Sequence, residues 1–553
     1  MSGFHLRLRP MMRIETLVLV VVAWIMATAN IAWWTAVGQG RHWMQPYNLL
    51  FFVSCFTALT ALHFALIVPF AFRWIVRPLL TLLVVASAAA AWYMRTYSVL
   101  LDPTMIQNVL RTDTHEVRDL LNWSMVLWVV ICSAPPVVLI WRARLQEVPP
   151  LRAVMIRAGS VLAAVIIAVL AVVTISRDLT SFMRNQRGAR YLITPGNILV
   201  GLAVNSMHRV KDVNLVRTSV GADARLALPA SETQPRVLVV VVGETARAAN
   251  FSLMGYARET NPELAKAGVT AFTNVTSCGT STEVSVPCMF SPYGRENYDE
   301  DRIRTSEGLL DVLVHAGYAV KWLDNQSGCK GVCQGAGVQY EKIDVKGSPE
   351  LCADGECRDE ILQRRLADEL AQVKGNTVFV LHMMGNHGPA YFKRYPAEFR
   401  RFTPDCQTAE LRECSREEVV NAYDNAILYT DHVLAGMIQT LANDPRKLES
   451  AMIYVSDHGE SLGEHGLYLH GIPYSIAPEL QTHVPMVVWV SPAMGAGDVN
   501  VSCLQAKAHQ AFSHDNLFHS VLGLADVKTS VYRPASDIFN GCRGDVAGSV
   551  AQR

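Results

Sequence analysis

The hydrophobic positions are arranged differently in the first and second parts of this chain. Up to about residue 176, apolar residues form long runs, most of them close to the roughly 20 residues that cross a bilayer as a helix. From Pro235 onward, short β-branched runs alternate with segments of helical periodicity. The pattern predicts five transmembrane helices followed by an α/β domain. The five apolar runs cover residues 16–37, 49–72, 79–94, 123–141 and 154–175.

The alternation after residue 235 is typical of a mostly parallel sheet with helices on both faces. We therefore divide the chain into a transmembrane domain at 1–176, a polar connector at 177–234 and an α/β domain at 235–553. Strands are predicted at 236–242, 318–323, 377–382, 451–456 and 485–490, and helices at 306–316, 357–373 and 416–441.

A further short helix is predicted near 104–117, between the third and fourth spans. Asn108, Thr112 and Glu116 are spaced four residues apart, so their polar groups share one face of this helix. From the spacing alone, the preferred interpretation is the solvated face of a connecting helix.

The arginines next to the apolar runs predict how the chain crosses the membrane. Alone, the first run with its basic start also fits a signal peptide, but four further runs favour a multi-pass protein. Positive residues mark cytoplasmic ends, and five spans then place everything after residue 177 in the periplasm of a bacterial inner membrane. The marking arginines are Arg7, Arg9 and Arg13 before the first run, Arg73 and Arg77 after the second, and Arg142 and Arg144 after the fourth.

The cysteines agree with this export. Two of them, Cys55 and Cys132, lie in predicted spans, whereas the other ten begin at Cys278 and mostly form close pairs. Closely paired cysteines outside the cytosol predict a disulfide framework. The alternative is a zinc site formed by Cys329, Cys333, Cys352 and Cys357. The disulfides that we predict are Cys278–Cys288, Cys329–Cys333, Cys352–Cys357, Cys406–Cys414 and Cys503–Cys542.

Candidate metal ligands follow two of the predicted strands directly. Glu244 comes after the strand at 236–242, and Asp457 and His458 come after the strand at 451–456. The carboxyl ends of parallel strands meet at one edge of a sheet, so residues far apart in sequence can bind one metal ion there. The chain has 49 basic and 49 acidic residues, and this balance argues against a nucleic-acid partner. The sequence predicts metal-assisted phosphate chemistry.

Other candidates surround these ligands in sequence. The hydroxyl-rich loop that contains Thr282 leads into a short helix, and zinc would lower the pKa of a threonine hydroxyl there; an ordinary helix cap is the alternative. His387 and His470 follow strand ends, and Lys330 sits in a loop beyond another strand, where it would neutralise a phosphoryl oxygen.

Four motifs together resemble one known family: GETAR at 243–247, CGTST at 278–282, NHGP at 386–389 and SDHGESLGE at 456–464. The chain resembles the lipid A phosphoethanolamine transferases, the family that includes the mobile colistin resistance enzymes, and the five spans and MIQNV at 105–109 fit as well. The resemblance implies a catalytic domain of alkaline-phosphatase or sulfatase type. It also implies zinc held by Glu244, Thr282, Asp457 and His458, with Thr282 rather than Thr280 as nucleophile.

The resemblance implies further roles around this centre. Family members place His387 and His470 near the transferred group or a second zinc, so one or two Zn²⁺ ions are expected. Gln326 and Lys330 match residues near bound phosphoethanolamine. Asn108, Thr112 and Glu116 match positions on the lipid side of the site, which raises them above a solvated face. The role of His465 stays open.

The hypothesis that follows is a transfer of phosphoethanolamine from phosphatidylethanolamine to a lipid A phosphate through a covalent intermediate on Thr282, by a monomer in the membrane. Capping that phosphate would weaken binding of polymyxin and other cationic peptides. The alternatives are another acceptor (lipopolysaccharide core, Kdo or a periplasmic glucan), a phosphodiesterase or sulfatase, and a non-catalytic lipid sensor. The Cys-or-Ser-X-Pro-X-Arg stretch of sulfatases is absent around Thr282. A sensor has no need of a metal-activated hydroxyl.

Overall fold

The computed structural model describes residues 10–39, 41–42, 45–111, 117, 120–212, 217–227, 235–345, 348–353 and 355–544. Thr112 and Glu116 lie outside the described residues. The chain divides into two compact units, Met1–Gln107 with Leu121–Ser206, and Asn108–Leu120 with Met207–Arg553. We call the first the membrane unit and the second the α/β unit.

The membrane unit consists of long apolar helices. Four of them are long and apolar enough to cross a membrane, and a bent pair brings the number to five if the pair counts as one span. With the bent pair counted as one span, the number agrees with the five predicted spans, and the helix bounds lie a few residues from the predicted ones. The helices of this unit are α1 (Ile14–Thr28), α2 (Ile31–Gly38), α3 (Pro46–Ile67), α4 (Val76–Tyr97), α6 (Trp123–Arg142), α7 (Pro150–Thr174) and α8 (Ser176–Asn185). Two more, α5 (Pro103–Arg111) and α9 (Gly196–Asp212), begin in this unit and end in the α/β unit.

The first span is broken at a buried asparagine. Helices α1 and α2 meet at an angle of 57°, and Asn30 at the break is fully buried. Its Nδ2 donates to the carbonyl of Thr194 at 2.9 Å, and its Oδ1 accepts from the amide of Thr194 at 2.9 Å. This reciprocal pair satisfies polar backbone groups that apolar surroundings would otherwise leave unpaired. The prediction from the sequence treated residues 16–37 as one span and did not include this break.

The α/β unit is built on one eight-stranded mixed sheet. Its order is β8-β2-β7-β6-β1-β5-β3-β4, with strand β7 antiparallel to both neighbours and the other pairs parallel. The predicted strands are present, and three further strands, β2, β4 and β8, were not predicted. The strands are β1 (Arg236–Gly243), β2 (Thr270–Thr276), β3 (Ala319–Asp324), β4 (Val338–Lys342), β5 (Thr377–His382), β6 (Glu449–Ser456), β7 (His483–Val490) and β8 (Phe512–Ser513).

Strand β1 lies in the middle of the sheet and is covered on both faces. Val237, Val239 and Val241 pack into one hydrophobic core, whereas Leu238 and Val240 pack into the core on the opposite face. Because successive side chains of a strand point to opposite faces, a strand between two helical layers must be apolar at every position. This is why the sequence shows an unbroken apolar run here.

Helices and short sheets complete the unit. The longest helix begins with a capping box, in which Ser415 accepts from the amide of Glu418 and Glu418 accepts from the amide of Ser415. The helices are α10 (Pro262–Lys266), α11 (Thr282–Met289), α12 (Glu300–Arg304), α13 (Leu309–His315), α14 (Glu360–Leu370), α15 (Arg416–Ala442), α16 (Glu479–Thr482), α17 (Pro492–Gly497), α18 (Val501–Lys507) and α19 (Asp515–Leu524). Two-residue strands pair in both units: Met11–Met12 with Arg144–Leu145, Arg225–Leu226 with Val527–Lys528, Cys352–Ala353 with Glu356–Cys357, and Ser461–Leu462 with Tyr468–Leu469.

The ten cysteines of the α/β unit form disulfides rather than a zinc site. The bonds join the pairs predicted from the sequence, and Cys55 and Cys132 are free. Four of the bonds close loops of ten residues or fewer, and they fix local loops instead of joining distant elements. The disulfides are Cys278–Cys288, Cys329–Cys333, Cys352–Cys357, Cys406–Cys414 and Cys503–Cys542.

Candidate active site

Two neighbouring parallel strands deliver carboxylates to one edge of the sheet. Strands β1 and β6 pair in register so that Gly243 lies opposite Ser456, and the amide of Asp457 donates to the carbonyl of Gly243 at 2.9 Å. Glu244 and Asp457, the next residues of each strand, are therefore neighbours, and both are fully buried. Gly459 completes the turn, and a Cβ there would lie 2.1 Å from the carbonyl oxygen of Leu480. The strand-end geometry is the one expected from the sequence.

The hydroxyl of Thr282 points at the carboxylate of Glu244. Thr282 is the first residue of α11, and its Oγ1 lies 3.0 Å from Oε2 and 3.2 Å from Oε1 of Glu244. The same Oγ1 lies 3.5 Å from Nε2 of His458. Ser281 is the N-cap residue of α11, yet its side chain makes no capping hydrogen bond. The alternative of a capping cluster therefore does not describe these two residues.

The four side chains fit a tetrahedral zinc site. One ligand atom each from Glu244, Asp457 and His458 lies within 4.8 Å of the other two. Nε2 of His458 is 3.3 Å from Oε1 of Glu244 and 3.4 Å from Oδ2 of Asp457. Ligands about 2.0–2.1 Å from a tetrahedral zinc ion are separated by about 3.3 Å, and oxygen and imidazole nitrogen are ligands that zinc accepts. The spacing around Thr282 therefore suits zinc.

Hydrogen bonding also points to a cation. Oδ1 of Asp457 accepts from the amides of Thr245 and His458, whereas the buried Oδ2 has no hydrogen-bond partner among the described residues. A buried carboxylate oxygen without a donor is costly unless a cation compensates it. On the opposite side, Gln326 donates from Nε2 to Oε2 of Glu244 at 2.9 Å and fixes that carboxylate.

The charges of this cluster depend on one another. Burial raises the pKa of Asp457 to about 6, and the negative charge of Glu244 adds to the effect. Burial also disfavours the charged imidazole of His458, but Asp457 and Glu244 outweigh it and raise the pKa of His458 to about 10. Burial opposes ionisation of Glu244 too, yet His458 holds its pKa below the ordinary value. The cluster is thus organised around positive charge between two carboxylates.

Two further histidines lie beside the cluster. The ring of His470 is 4.3 Å from that of His458 and 5.9 Å from that of His387, measured between centroids. Nδ1 of His470 lies 3.1 Å from Oε2 of the buried Glu460, which fixes the orientation of the ring. Desolvation lowers the pKa of His387 to about 3, so its imidazole is neutral. The structure brings both predicted histidines to the site.

The remaining predicted residues are placed less centrally. Lys330 directs its Nζ to the hydroxyl of Ser327 at 2.6 Å, in the loop closed by the Cys329–Cys333 disulfide. Asn108 is a partly buried residue of α5. His465 is exposed, with a positive φ of 53°, and within the described ranges no hydrogen bond or ion pair joins it to Glu244, Asp457 or His458.

Two residues missed in the sequence support the ligand-bearing loops. His514 is fully buried; its Nδ1 accepts from the amide of Cys278 at 3.0 Å, and its Nε2 donates to the carbonyl of Ser456 at 2.9 Å. It therefore joins the loop before Thr282 to the strand end before Asp457. No pattern in the sequence marked it, because both of its partners are backbone groups more than 50 residues away.

The second missed residue is Glu283, which follows Thr282 in α11. Its side chain is buried, and its Oε1 accepts from Nη2 of Arg304 at 2.7 Å and from Nη1 of Arg111, which belongs to the same unit. A buried carboxylate between two arginines anchors the first turn of the helix that carries the hydroxyl. An acidic residue in the first turn of a helix is common, so the sequence gave no reason to single it out.

Comparisons with known proteins agree with this architecture. Residues 59–209 match the family model of phosphoethanolamine transferase EptA/EptB, and residues 236–527 match the sulfatase family model. The chain is 38% identical to phosphoethanolamine transferase EptA of Escherichia coli (strain K12) over 97% of this chain and 98% of that protein. It is 36% identical to the phosphatidylethanolamine transferase Mcr-1 of Escherichia coli, over 92% of this chain and 94% of that protein.

A solved structure extends the likeness to both units. The integral membrane lipooligosaccharide phosphoethanolamine transferase A (EptA) from Neisseria meningitidis superposes with a TM-score of 0.90 at 35% identity, covering 97% of this chain and all of that one. Sequence identity above 30% across nearly the whole length establishes the relationship. The chain belongs to the phosphoethanolamine transferase EptA/EptB family.

Proposed function

We propose that this protein transfers phosphoethanolamine from phosphatidylethanolamine to a phosphate of lipid A, with Thr282 as the nucleophile and zinc as the cofactor. The observation that carries the proposal is the position of the Thr282 hydroxyl, 3.0 Å from Glu244 and 3.5 Å from His458. An alcohol beside an anionic, metal-binding cluster is suited to attack phosphorus, whereas a structural threonine has no need of these neighbours.

In the first step, Oγ1 of Thr282 attacks the phosphorus of phosphatidylethanolamine. The bond from Oγ1 to phosphorus forms as the bond from phosphorus to the diacylglycerol oxygen breaks. The threonine hydroxyl releases its proton to water, and the diacylglycerol oxygen takes one proton from a side chain of the site. His470, oriented through Nδ1 by Glu460, is the candidate donor of that proton. The products are diacylglycerol and a phosphoethanolamine ester of Thr282.

In the second step, an oxygen of a lipid A phosphate attacks the same phosphorus, and Oγ1 of Thr282 leaves and regains a proton. Zinc held by Glu244, Thr282, Asp457 and His458 would lower the pKa of the hydroxyl and polarise the phosphoryl oxygens. Lys330 would supply positive charge to the group in transfer, and the neutral imidazole of His387 would supply a hydrogen bond. Gln326 keeps Glu244 oriented. His387 and His470 are also the candidate ligands of a second zinc ion.

The membrane unit explains why this chemistry is tethered. Donor and acceptor are both lipids of the bilayer that the spans cross, so anchoring concentrates them with the enzyme. We propose that the bilayer is a bacterial inner membrane and that the α/β unit faces the periplasm, where its disulfides are stable. The ethanolamine cation added to lipid A lowers negative surface charge and thereby weakens binding of polymyxin.

Mass spectrometry of lipid A from cells with and without the protein tests the proposal. We expect a phosphoethanolamine-sized increase with the wild type and none with Thr282→Ala. Ser281→Ala is the matched control, because the Ser281 hydroxyl belongs to the residue before Thr282, is buried and has no hydrogen-bond partner among the described residues. That control should modify lipid A as the wild type does. Unchanged lipid A together with a modified lipopolysaccharide core would identify a different acceptor. If the Thr282→Ala protein modified lipid A at the wild-type rate, Thr282 would not be the nucleophile.

A further inference from the structure

A strongly basic segment follows the fifth span of the membrane unit. Residues 176–192, which we call the basic segment, carry four arginines and a single acidic residue, Asp178. The segment comprises α8 and a 3₁₀ turn at Arg187–Leu192. All four arginine side chains are exposed: Arg177, Arg184, Arg187 and Arg190.

The apolar side of the segment is fixed against the spans. Phe182 and Ala189 are buried in a cluster with Trp33, Phe51 and Ile175, and the rings of Phe182 and Trp33 meet edge-to-face at 5.4 Å. Leu179 and Met183 pack against the same cluster. The segment is therefore an amphipathic element held at the end of the spans, with its polar side outward.

The arginines are spaced so that they share faces. Arg177 and Arg184 are seven residues apart on α8, which is two helical turns and about 10 Å. Arg187 and Arg190 are three residues apart in a 3₁₀ turn, where such side chains eclipse one another. Arg177, Arg184 and Arg187 take part in no ion pair within the part of the chain that the structure describes. Arg190 contacts the ring and hydroxyl of its neighbour Tyr191.

This charge is on the side of the membrane where positive residues are normally scarce. Arginines next to spans are enriched on the cytoplasmic side, and the proposed topology puts the basic segment on the opposite side. Arginines without ion pairs on the periplasmic side are the opposite of what the positive-inside rule favours. A binding role explains why they are there, since guanidinium groups recognise phosphate through paired hydrogen bonds.

We propose that the basic segment binds the phosphomonoester groups of the acceptor lipid, and this rests on the proposed function. The donor headgroup is zwitterionic and carries no net charge, whereas lipid A with free phosphates is strongly anionic. The segment therefore attracts acceptor over donor. Transfer adds a phosphoethanolamine group whose own phosphate and ammonium charges cancel, and it converts a phosphomonoester of about −1.5 to −2 charge into a phosphate that keeps a single negative charge. The net negative charge therefore falls, so the product binds the segment less tightly than the substrate and is released.

The test uses the full-length protein reconstituted in vesicles with a fixed content of phosphatidylethanolamine. Transfer to diphosphoryl lipid A is followed by mass spectrometry, and KM and kcat are determined separately. Replacing Arg177, Arg184 and Arg187 together by glutamine should raise KM for this acceptor about tenfold or more, because each arginine near a membrane surface contributes severalfold to binding of anionic lipid. The effect on kcat should be small, and lysine at the same three positions should recover only the part of the affinity that depends on charge, because an ammonium group cannot form the paired hydrogen bonds of a guanidinium.

The control removes charge at the other end of the spans. Arg142, the last residue of α6, and Arg144, just beyond it, are exposed, and their replacement by glutamine should leave KM unchanged. Lipid A that already carries phosphoethanolamine should bind the wild type, as an inhibitor, with lower affinity than unmodified lipid A binds as the substrate. In the triple glutamine protein this difference should largely disappear.

Two results would overturn the inference. One is an unchanged KM in the triple glutamine protein while the wild type transfers normally. The other is competition by phosphatidylglycerol as strong as by lipid A at equal surface charge, which would make the segment a general anionic-lipid anchor. A wild-type protein that modifies no lipid A at all would instead contradict the proposed function, so the two failures are distinguishable.

Discussion

The carboxylate of Glu460 holds the imidazole of His470, with 3.1 Å between Oε2 and Nδ1. Glu460 is fully buried, and its other oxygen, Oε1, has no hydrogen-bond partner among the described residues. A carboxylate that orients a histidine is a positioning residue, and such partners typically affect activity about 10–100-fold. Because the ring of His470 lies beside that of His458, the pair of Glu460 and His470 is the first target for testing the site.

We expect Glu460→Gln to lower kcat about tenfold or more while leaving bound zinc unchanged, because the ring of His470 loses its charged partner but the four ligands stay. Steady-state transfer assays and metal analysis of the purified protein measure both quantities. The pair of Glu263 and His432, at 2.9 Å and half-exposed, offers a matched control. Glu263→Gln should leave kcat unchanged, and an equal loss in both proteins would show that Glu460 has no specific role.

The second prediction concerns the anchor of α11. Removing Glu283 leaves Arg304 and Arg111 without their buried carboxylate, and loss of one partner from a buried ion pair costs about 3 kcal/mol. We therefore expect Glu283→Ala to lower the melting temperature of the full-length protein by several degrees. The measurement is thermal unfolding in detergent.

Glu300 provides the comparison, because it also pairs with Arg304, at 2.9 Å, but its side chain is 27% exposed. An exposed pair four residues apart in a helix contributes less than about 1 kcal/mol. Glu300→Ala should therefore shift the melting temperature much less than Glu283→Ala. Equal shifts would mean that burial of Glu283 does not matter to the stability of the unit.

Much of the architecture could be predicted from the sequence because it follows from local patterns. Membrane spans and the fully buried strands β1 and β6 are continuous apolar runs, and their periodicity is sufficient to identify them. The strands β2, β4 and β8 escaped prediction because they are partly exposed or only a few residues long. The break at Asn30 depends on Thr194, 164 residues away, and local patterns do not report such contacts.

Some residues of the candidate site could likewise be predicted from local patterns, and others could not. Glu244, Asp457 and His458 could be found because strand ends converge, whereas residues alone favoured a capping role for the loop at Thr282, and only the family resemblance singled it out. Glu460, Glu283 and His514 act through partners that the fold brings together. His514 is the clearest case, since both of its hydrogen bonds go to backbone atoms.

His514 predicts a pH dependence of stability. Burial lowers the pKa of His514 to about 4, against an ordinary value near 6.5, because the charged imidazole loses its hydration there. The unfolded chain therefore binds more protons than the folded one between pH 6.5 and 4. The neutral imidazole of His514 therefore contributes about 3 kcal/mol to the free energy of unfolding. This contribution is fully present above pH 6.5 and is lost as the pH falls towards 4.

Glutamine at position 514 can accept and donate as the neutral imidazole does, but it does not titrate in this range. We expect His514→Gln to be less sensitive than the wild type to lowering the pH from 7 to 4.5, when both are unfolded with chelator present. His509→Gln, which changes an exposed histidine, should keep the wild-type dependence. If the stability of the wild type and of the His514→Gln protein fell in parallel as the pH was lowered, the buried imidazole of His514 would not be the titrating group.

The last prediction separates the two roles of Asp457, and it follows from the charges of the cluster. Without a metal ion, burial and the nearby charge of Glu244 disfavour the Asp457 carboxylate, as its raised pKa of about 6 indicates. With a metal ion bound, the same carboxylate becomes a ligand, and its Oδ2 has the partner that the protein does not supply. Asp457→Asn should therefore raise the melting temperature in chelator and lower it in zinc.

The reason for this reversal is that a ligand stabilises only the state that binds it, by about 2.7 kcal/mol at a hundredfold excess over Kd. Asparagine keeps an oxygen for the amides of Thr245 and His458, so the fold itself should tolerate the change. Thermal unfolding of both proteins, with chelator and with zinc, gives the four melting temperatures required. If zinc raised both melting temperatures equally, Asp457 would not be a ligand, and if chelator left the wild type unaffected, the cluster would hold no metal.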